Sequence, residues 1–323
     1  VLQLAGVIMF AALAIVIAIP FASARKLTDP VLALSGAAKD LADGDFNARV
    51  EIKTGDELEN LGNIFNDMGP KLLEREKMKH SLALAMEIQQ HLLPHGSPQI
   101  DGFDIAGKSI YCDETGGDYY DFIELSELGA GRVGIALGDV SGHGIGAALL
   151  MAAARGVLRS HAVQHGGNLG ELFETLNRHL VRDTGDGQFM TLFYAVLDAE
   201  TRMLSWTSGG HDPALWLQNA GGDIRELPNT GIPLGILEDV QFEQAGPITL
   251  SGGDIVLVGT DGIWEARNSD GDMFGKDRLR QLLTDSASMS AADIHDTIVE
   301  SVRNYRQSRP QEDDVTLVVI KAL

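Results

Sequence analysis

The chain has 323 residues, 44% of them hydrophobic, with 25 Lys and Arg against 46 Asp and Glu, a formal charge of −21. This composition supports a packed core and excludes wholesale disorder, and the acidity excludes nucleic acid as a partner, since phosphate backbones need clustered Lys and Arg. The one cysteine, Cys112, excludes a disulfide framework and a Cys-rich zinc site.

The length predicts two or three domains, and the charge is uneven: residues 1–94 carry −3 and residues 95–323 carry −18. Val1 to Ala24 contain no ionisable side chain, and Leu2 to Ile19 are apolar apart from Gln3 and a glycine. That is enough helix to cross a hydrocarbon core of ~30 Å, and it predicts a transmembrane helix over residues 1–21. Arg25 and Lys26 follow at once, which places the C-terminal side in the cytoplasm and the protein in the cell (inner) membrane. Ala22-Ser23-Ala24 permits a signal-peptide reading, but no basic residue precedes the apolar run. A start on Val predicts a further N-terminal portion.

Two heptad runs come next. Leu27, Val31, Leu34, Ala38 and Leu41 form one; Leu58, Leu61, Phe65, Met68 and Leu72 form the other. Their spacing is that of a coiled-coil seam, which leaves an apolar stripe for a second chain. Gly44-Asp45 and Gly55-Asp56 are turn signals around an extended stretch from Phe46 to Ile52. With Pro30, Asp56-Glu57-Leu58 and Phe65-Asn66-Asp67-Met68, this helix, connector and helix resemble a HAMP domain, taken as residues 22–74. The resemblance implies a homodimer through the HAMP and linker helices. Gly69-Pro70 predicts a break or kink in the second helix. Beyond it, residues 75–94 read as a helical linker with two registers, one using Met78, Leu82, Ala85, Gln89 and Leu92 and the other placing Arg75 and Lys79 in the seam.

From residue 95 the pattern changes to strands mixed with helices. Residues 131–139, 254–261 and 314–320 read as buried strands, and 189–198 with 202–208 as a hairpin. Ile145 to Gln164, Leu169 to Arg182, Lys276 to Leu283 and Ala291 to Arg306 read as helices. Short turns between strands and helices in two groups predict a layered α/β (α+β) domain on largely antiparallel sheets.

Acidic residues mark the strand ends. Asp139 and Asp261 close strands, Asp118 follows Gly116-Gly117, and Asp313-Asp314 opens the last strand. Singly, each reads as a turn residue or a helix cap. As a set, they would repel by ~4 kcal/mol per pair at ~4 Å and an effective dielectric near 20, so a shared pocket needs cations or protons. All-oxygen donors favour Mg(II) or Mn(II) over Zn(II).

The segments GGDYYDF (116–122), GDVSGHG (138–144), TDGIWEARN (260–268) and EDDVTLVVI (312–320) resemble the SpoIIE/RsbU branch of the metal-dependent (PPM, protein phosphatase 2C-like) phosphatases. EIQQHLLP (87–94), SGGHDPAL (208–215) and GIPLGI (231–236) fit the same branch. The resemblance covers roughly residues 87–323. It implies an αββα sandwich over residues 95–323, preceded by the transmembrane helix, HAMP hairpin and coiled-coil linker, with two Mn(II) or Mg(II) ions that support hydrolysis of phosphoserine or phosphothreonine. Carried over by residue, Asp139 bridges the metals, the Val140 carbonyl helps hold the first, Asp261 and Asp313 ligate the second, and Asp118 lies near it. Asp313 rather than Asp314 matches the family's ligand, and Asp314 stands beside it in the candidate metal set. His143 is a candidate general acid, with a helix-start role as the alternative. The phosphate-binding Arg of the eukaryotic branch has no counterpart in Tyr-Cys-Asp-Glu-Thr (111–115). The resemblance further implies a phosphorylated protein substrate, an anti-sigma-factor antagonist.

Three rival outputs stand beside this reading. GGDYYDF superficially resembles a diguanylate cyclase turn, and DTGDG (183–187) a histidine kinase glycine box, though neither has its companion motifs. A pseudophosphatase that only binds a partner is the third. His211 reads as a turn residue, NSDGDMFG (268–275) as a turn in which Met273 replaces the glycine an EF-hand needs, and Cys112 as an incidental buried thiol.

Overall fold

A computed structural model of the chain describes residues 2–113, 115–185, 187–219 and 222–323. Glu114, in the segment 111–115, and Asp186, in DTGDG, lie outside the described residues. The chain divides into two compact units, Val1–Ser81 and Leu82–Leu323.

In the first unit α1 (Leu2–Ala42) and the greater part of α2 (Glu57–Leu92), whose last turns from Leu82 belong to the second unit, flank a connector over 43–56. The apolar stretch of α1 is the one described helix long and apolar enough to cross a membrane. A small core of Ala37, Leu41, Val50, Ile52 and Phe65 joins the two helices and the connector, with Leu34, Leu58 and Leu72 packed against it. Within one chain the first seam thus uses Ala37, not the expected Ala38, because the partner is the connector as well as a helix. Leu27, Val31, Leu61 and Met68 from the same heptads remain exposed.

Of the break or kink expected at Gly69-Pro70, the break does not occur: α2 is continuous through Pro70. Tertiary contacts hold the turn that the missing hydrogen bond would loosen. Asn66 straps the connector to α2 at this level, accepting from Val50 N at 2.9 Å and donating to Val50 O at 2.8 Å. Gly69 lets the connector close in, since a Cβ there would stand 2.6 Å from the Phe46 carbonyl oxygen.

The second unit is built from two five-stranded antiparallel sheets. One has the order β1 (Phe103–Ile110), β10 (Val315–Ala322), β9 (Ile255–Gly259), β6 (Ala214–Leu217), β7 (Ile224–Leu227). The other has β2 (Tyr119–Glu124), β3 (Arg132–Val140), β4 (Met190–Asp198), β5 (Met203–Gly209), β8 (Ala245–Thr249). Alternation along each strand sorts side chains between two cores. On β3, Val133, Ile135 and Leu137 face the other sheet and meet Val256, Val258, Val318 and Ile320. Ala136 and Val140 face the opposite way, onto α3 (Ile145–His161) and α4 (Leu169–Asp183). Leu257, Leu317 and Val319 likewise back onto α5 (Lys276–Asp285) and α6 (Ala291–Arg306). The result is the expected four-layer αββα sandwich.

The helices carry their own start signals. Asn168 caps α4 by accepting from Glu171 N at 3.3 Å, and Ser290 caps α6 by accepting from Asp293 N at 3.1 Å. α3 buries Ala147, Leu150, Met151, Ala154 and Leu158 at helical spacing. It starts after Gly144, whose φ of 80° suits a residue without Cβ. His143 is therefore not the cap of α3.

A carboxylate cleft at the rim of the two sheets

Strand pairing brings the acidic residues to one rim. The register Tyr119↔Gly138 sets Asp118 and Asp139 at the same end of β2 and β3. The register Leu317↔Gly259 does the same for Asp313, entering β10, and Asp261, leaving β9. Asp139, Asp261 and Asp313 line a cleft of about 350 Å³ together with Ser141, His143, Thr191, His211, Asp212 and Thr260. No Lys or Arg is among the residues that line it.

Asp118 is buried beneath the rim, where Thr260 Oγ1 donates to its Oδ2 at 2.8 Å. Burial raises its pKa well above the ordinary carboxylate value, and the charges of Asp139 and Asp314 add to the rise. Burial pushes Asp139 up to about 8, aided by Asp261, Asp313 and Asp314. Asp261 rises to about 6, through burial and then Asp313, Glu265 and Asp212. These shifts mark carboxylates that lack positive charge.

Asp314 behaves differently from its neighbour. It is 5% exposed, and its oxygens are taken by backbone amides: Oδ1 accepts from Cys112 N at 2.8 Å, Oδ2 from Gly117 N at 3.0 Å and from Asp118 N at 3.4 Å. This geometry makes Asp314 an organiser of the 112–118 segment. The approach is close enough to need glycine. A Cβ on Gly116 would lie 2.1 Å from Asp314 Oδ2, and one on Gly117 2.6 Å from the Val140 carbonyl oxygen. Cys112 is half-buried, and burial with the nearby acidic groups pushes its thiol up to about 12, which leaves it unreactive.

Two histidines border the cleft in contrasting states. His211 is buried, with Nε2 3.1 Å from the Gly259 carbonyl oxygen and Nδ1 3.0 Å from Thr191 Oγ1. A carbonyl can only accept, so Nε2 carries the proton and Nδ1 accepts from the Thr191 hydroxyl. Burial lowers its pKa to about 4. His211 is thus a neutral strut between β4 and β9, more than the turn residue its glycine setting suggests. His143 is 76% exposed, and its Nδ1 lies 3.0 Å from Asp113 Oδ2. A carboxylate also only accepts, so the proton sits on Nδ1 and Nε2 is left toward solvent.

The structure adds one residue that the motif reading did not assign to the site. Gln89, near the end of α2, is 4% exposed. Its Nε2 donates to the Gly116 carbonyl at 2.6 Å, and its Oε1 accepts from Gly116 N at 3.3 Å. Gln89 therefore packs within the second unit, against the segment that leads to Asp118, and not in a helical seam.

The donor set fits divalent metal by its chemistry. Hard oxygen donors, mutually repelling and with no Lys or Arg lining their cleft, suit Mg(II) or Mn(II). Among the described residues no group of three or more His, Cys, Asp or Glu side chains is placed close enough to hold a metal ion. The fit therefore rests on donor type and on raised pKa values.

The sequence pattern of the family described as Stage II sporulation protein E (SpoIIE) matches residues 129–323, and that of the HAMP domain matches residues 22–70. Phosphoserine phosphatase RsbU of Bacillus subtilis is 28% identical over 247 residues, 76% of this chain and 71% of RsbU. Phosphoserine phosphatase RsbP of the same organism is 27% identical over 250 residues, 75% of this chain but only 58% of RsbP. The SiaA-PP2C domain of Pseudomonas aeruginosa superposes with a TM-score of 0.64 at 22% identity, covering 77% of this chain and 98% of that domain. The fold is thus that of a PP2C-like phosphatase domain, of a class that depends on metal. The chain belongs to the SpoIIE family and carries a HAMP domain.

Proposed function

We propose that the protein is a membrane-anchored signalling phosphatase that hydrolyses phosphoserine or phosphothreonine on a protein substrate. The observation that carries this reading is the convergence of Asp118, Asp139, Asp261 and Asp313 on one rim, three of them with pKa values raised by burial and by one another. Asp139, Asp261 and Asp313 would hold two Mn(II) or Mg(II) ions, with Asp118 behind them and the Val140 carbonyl beside Gly117. Such ions supply Lewis acidity, acidifying a water and screening the phosphoryl oxygens, so hydrolysis requires no protein nucleophile.

The chain's own residues set the remaining chemistry. Thr260 fixes Asp118, Asp314 fixes the 112–118 segment, and His211 holds β4 against β9. His143 is the general acid: Asp113 accepts from Nδ1–H, and Nε2, which faces solvent, first takes a proton from water and then delivers that proton to the departing serine oxygen.

Anchoring rests on the apolar stretch of α1, with Arg25 and Lys26 holding the catalytic unit on the cytoplasmic side. The exposed heptad residues Leu27, Val31, Leu61 and Met68 support a homodimer. The domain division proposed is a transmembrane helix over 1–21, HAMP over 22–74, linker over 75–94 and phosphatase over 95–323. Likeness to the phosphoserine phosphatases RsbU and RsbP supports phosphoserine as the group hydrolysed, and the substrate proposed is a phosphorylated anti-sigma-factor antagonist.

The test is phosphate release by the purified full chain from a phosphoserine peptide. Turnover should require Mn(II) or Mg(II) and be abolished by Asp139→Asn. Turnover in excess chelator, or undiminished turnover in that variant, would refute the reading.

A further inference from the structure

A second, smaller cavity of about 120 Å³ adjoins the carboxylate cleft, and Glu312 and Asp313 form a wall common to both. The rest of its lining includes three guanidinium groups, Arg267 from the segment after β9, Arg306 at the end of α6, and Arg309 in the connection to β10, together with the carboxylate of Glu265. In a chain of net charge −21, cations without an acidic partner call for a reason. Arg309 has one, Glu312 at 2.7 Å. Among the described residues Arg267 and Arg306 have none. Arg267 Nη1 donates to the Gly271 carbonyl at 3.0 Å. Arg306 Nη2 reaches Gln311 Oε1 at 3.4 Å, while its Nε is buried with no hydrogen-bond partner.

Arg306 and Arg267 are partly exposed, but the buried Arg306 Nε–H has no acceptor, and that is costly. Burial, with the nearby Arg303 charge, lowers the Arg306 pKa, the direction expected of a cation short of partners. A cavity of this size takes one side-chain tip rather than a nucleotide or a folded element. It opens beside Asp313, where a phosphoserine held in the main cleft would leave its neighbouring residues. Resting on the phosphatase reading above, we propose that Arg306 and Arg267 form a subsite for a carboxylate side chain of the protein substrate, within a few residues of the phosphoserine. The site therefore selects phosphoserine in an acidic sequence context.

The experiment uses the full chain with Mn(II) and three phosphoserine peptides that differ only in flanking Glu, Gln or Lys. Wild type should prefer the Glu peptide over the Gln peptide by about tenfold in kcat/KM, equivalent to ~1.4 kcal/mol. Arg306→Gln and Arg267→Gln should each bring that ratio toward one, and Arg306→Glu should turn the preference toward the Lys peptide. A general loss of folded protein scales all peptides alike and leaves the ratios intact. Equal kcat/KM for the Glu and Gln peptides in wild type would overturn the subsite, as would an unaltered ratio in both Gln variants. A change confined to inhibition by inorganic phosphate would overturn it in favour of a product site. Wild type that hydrolyses p-nitrophenyl phosphate but treats the peptides alike refutes the subsite alone. Wild type that hydrolyses nothing refutes the phosphatase reading, and the subsite with it.

Discussion

The Gln89 side-chain amide pairs with both backbone polar groups of Gly116, donating to its carbonyl at 2.6 Å and accepting from its N–H at 3.3 Å. Gly116 lies two residues before Asp118, so the end of α2 is joined to the carboxylate cleft by a pair of hydrogen bonds across 27 positions of sequence. Replacing Gln89 by Ala strands two buried backbone groups, at ~1–3 kcal/mol each. Gln89→Ala should therefore lower both thermal stability and kcat, with a weaker response to Mn(II) in titration. Gln89→Glu keeps the acceptor but sets an oxygen against the Gly116 carbonyl, and should be no better.

Asp313 and Asp314 are adjacent yet should fail in different ways. Asp313 makes one backbone contact, accepting from Asp314 N at 2.9 Å, which Asn retains. Asp313→Asn should fold normally and need more Mn(II) for half-maximal activity. Asp314 accepts from three amides; Asn supplies one oxygen and turns an N–H₂ toward a donor. Asp314→Asn should cost ~1–3 kcal/mol of stability, read as a lower melting temperature with or without metal.

The raised carboxylates give the metal-free chain an inverted pH response. An acid whose folded pKa lies above its unfolded value stabilises the fold fully below the unfolded pKa and loses that contribution as pH rises through the folded one. For Asp139, at about 8, and Asp261, at about 6, the loss runs from about pH 4 to about pH 8. Chelator-treated protein should melt at lower temperature at pH 8 than at pH 6, and Mn(II) should raise the value most at pH 8. Trp206, Trp216 and Trp264, the chain's 3 tryptophans, all belong to the catalytic unit, so their fluorescence follows it directly.

His143 should matter in proportion to how badly the leaving group needs a proton. General acid catalysis contributes ~10²–10⁴-fold, and phosphoserine leaves as a basic alkoxide. His143→Gln should cut kcat on a phosphoserine peptide by at least ~10² and cut it far less on p-nitrophenyl phosphate. Asp113→Asn should show a smaller loss in the same sense. Equal losses on the two substrates would remove His143 from proton transfer.

The elements with strong patterning were readable in advance. β3, β4, β5, β9, β10 and α3 to α6 agree with their sequence expectations to within about three residues. The strand ends bearing Asp139, Asp261 and Asp313 followed from that reading. β7 and β8 escaped because short edge strands face solvent on most positions and show no alternation. β2 was hidden inside the GGDYYDF motif. The Gln89 contact left no local trace, since its partner is a backbone group and its position also suits a helical seam. The different duties of Asp313 and Asp314 were equally hidden: successive residues at a strand entrance point opposite ways, and only the fold shows which way is inward. Pro70 misled because propensity weighs one lost hydrogen bond and not the Asn66 strap beside it.

β10 lies between β1 and β9, and Asp314 at its entrance reaches back 202 positions to Cys112. A ribosome makes the chain in one direction, so β1 emerges long before the neighbour that completes its sheet. Until residue 322 is released, β1 has no central strand to pair with, and Gly116 and Gly117 have no carboxylate to gather them. An interrupted translation product thus retains three of the acidic residues but not the contact that shapes them. The contact that shapes the acidic rim is therefore among the last that the chain can make.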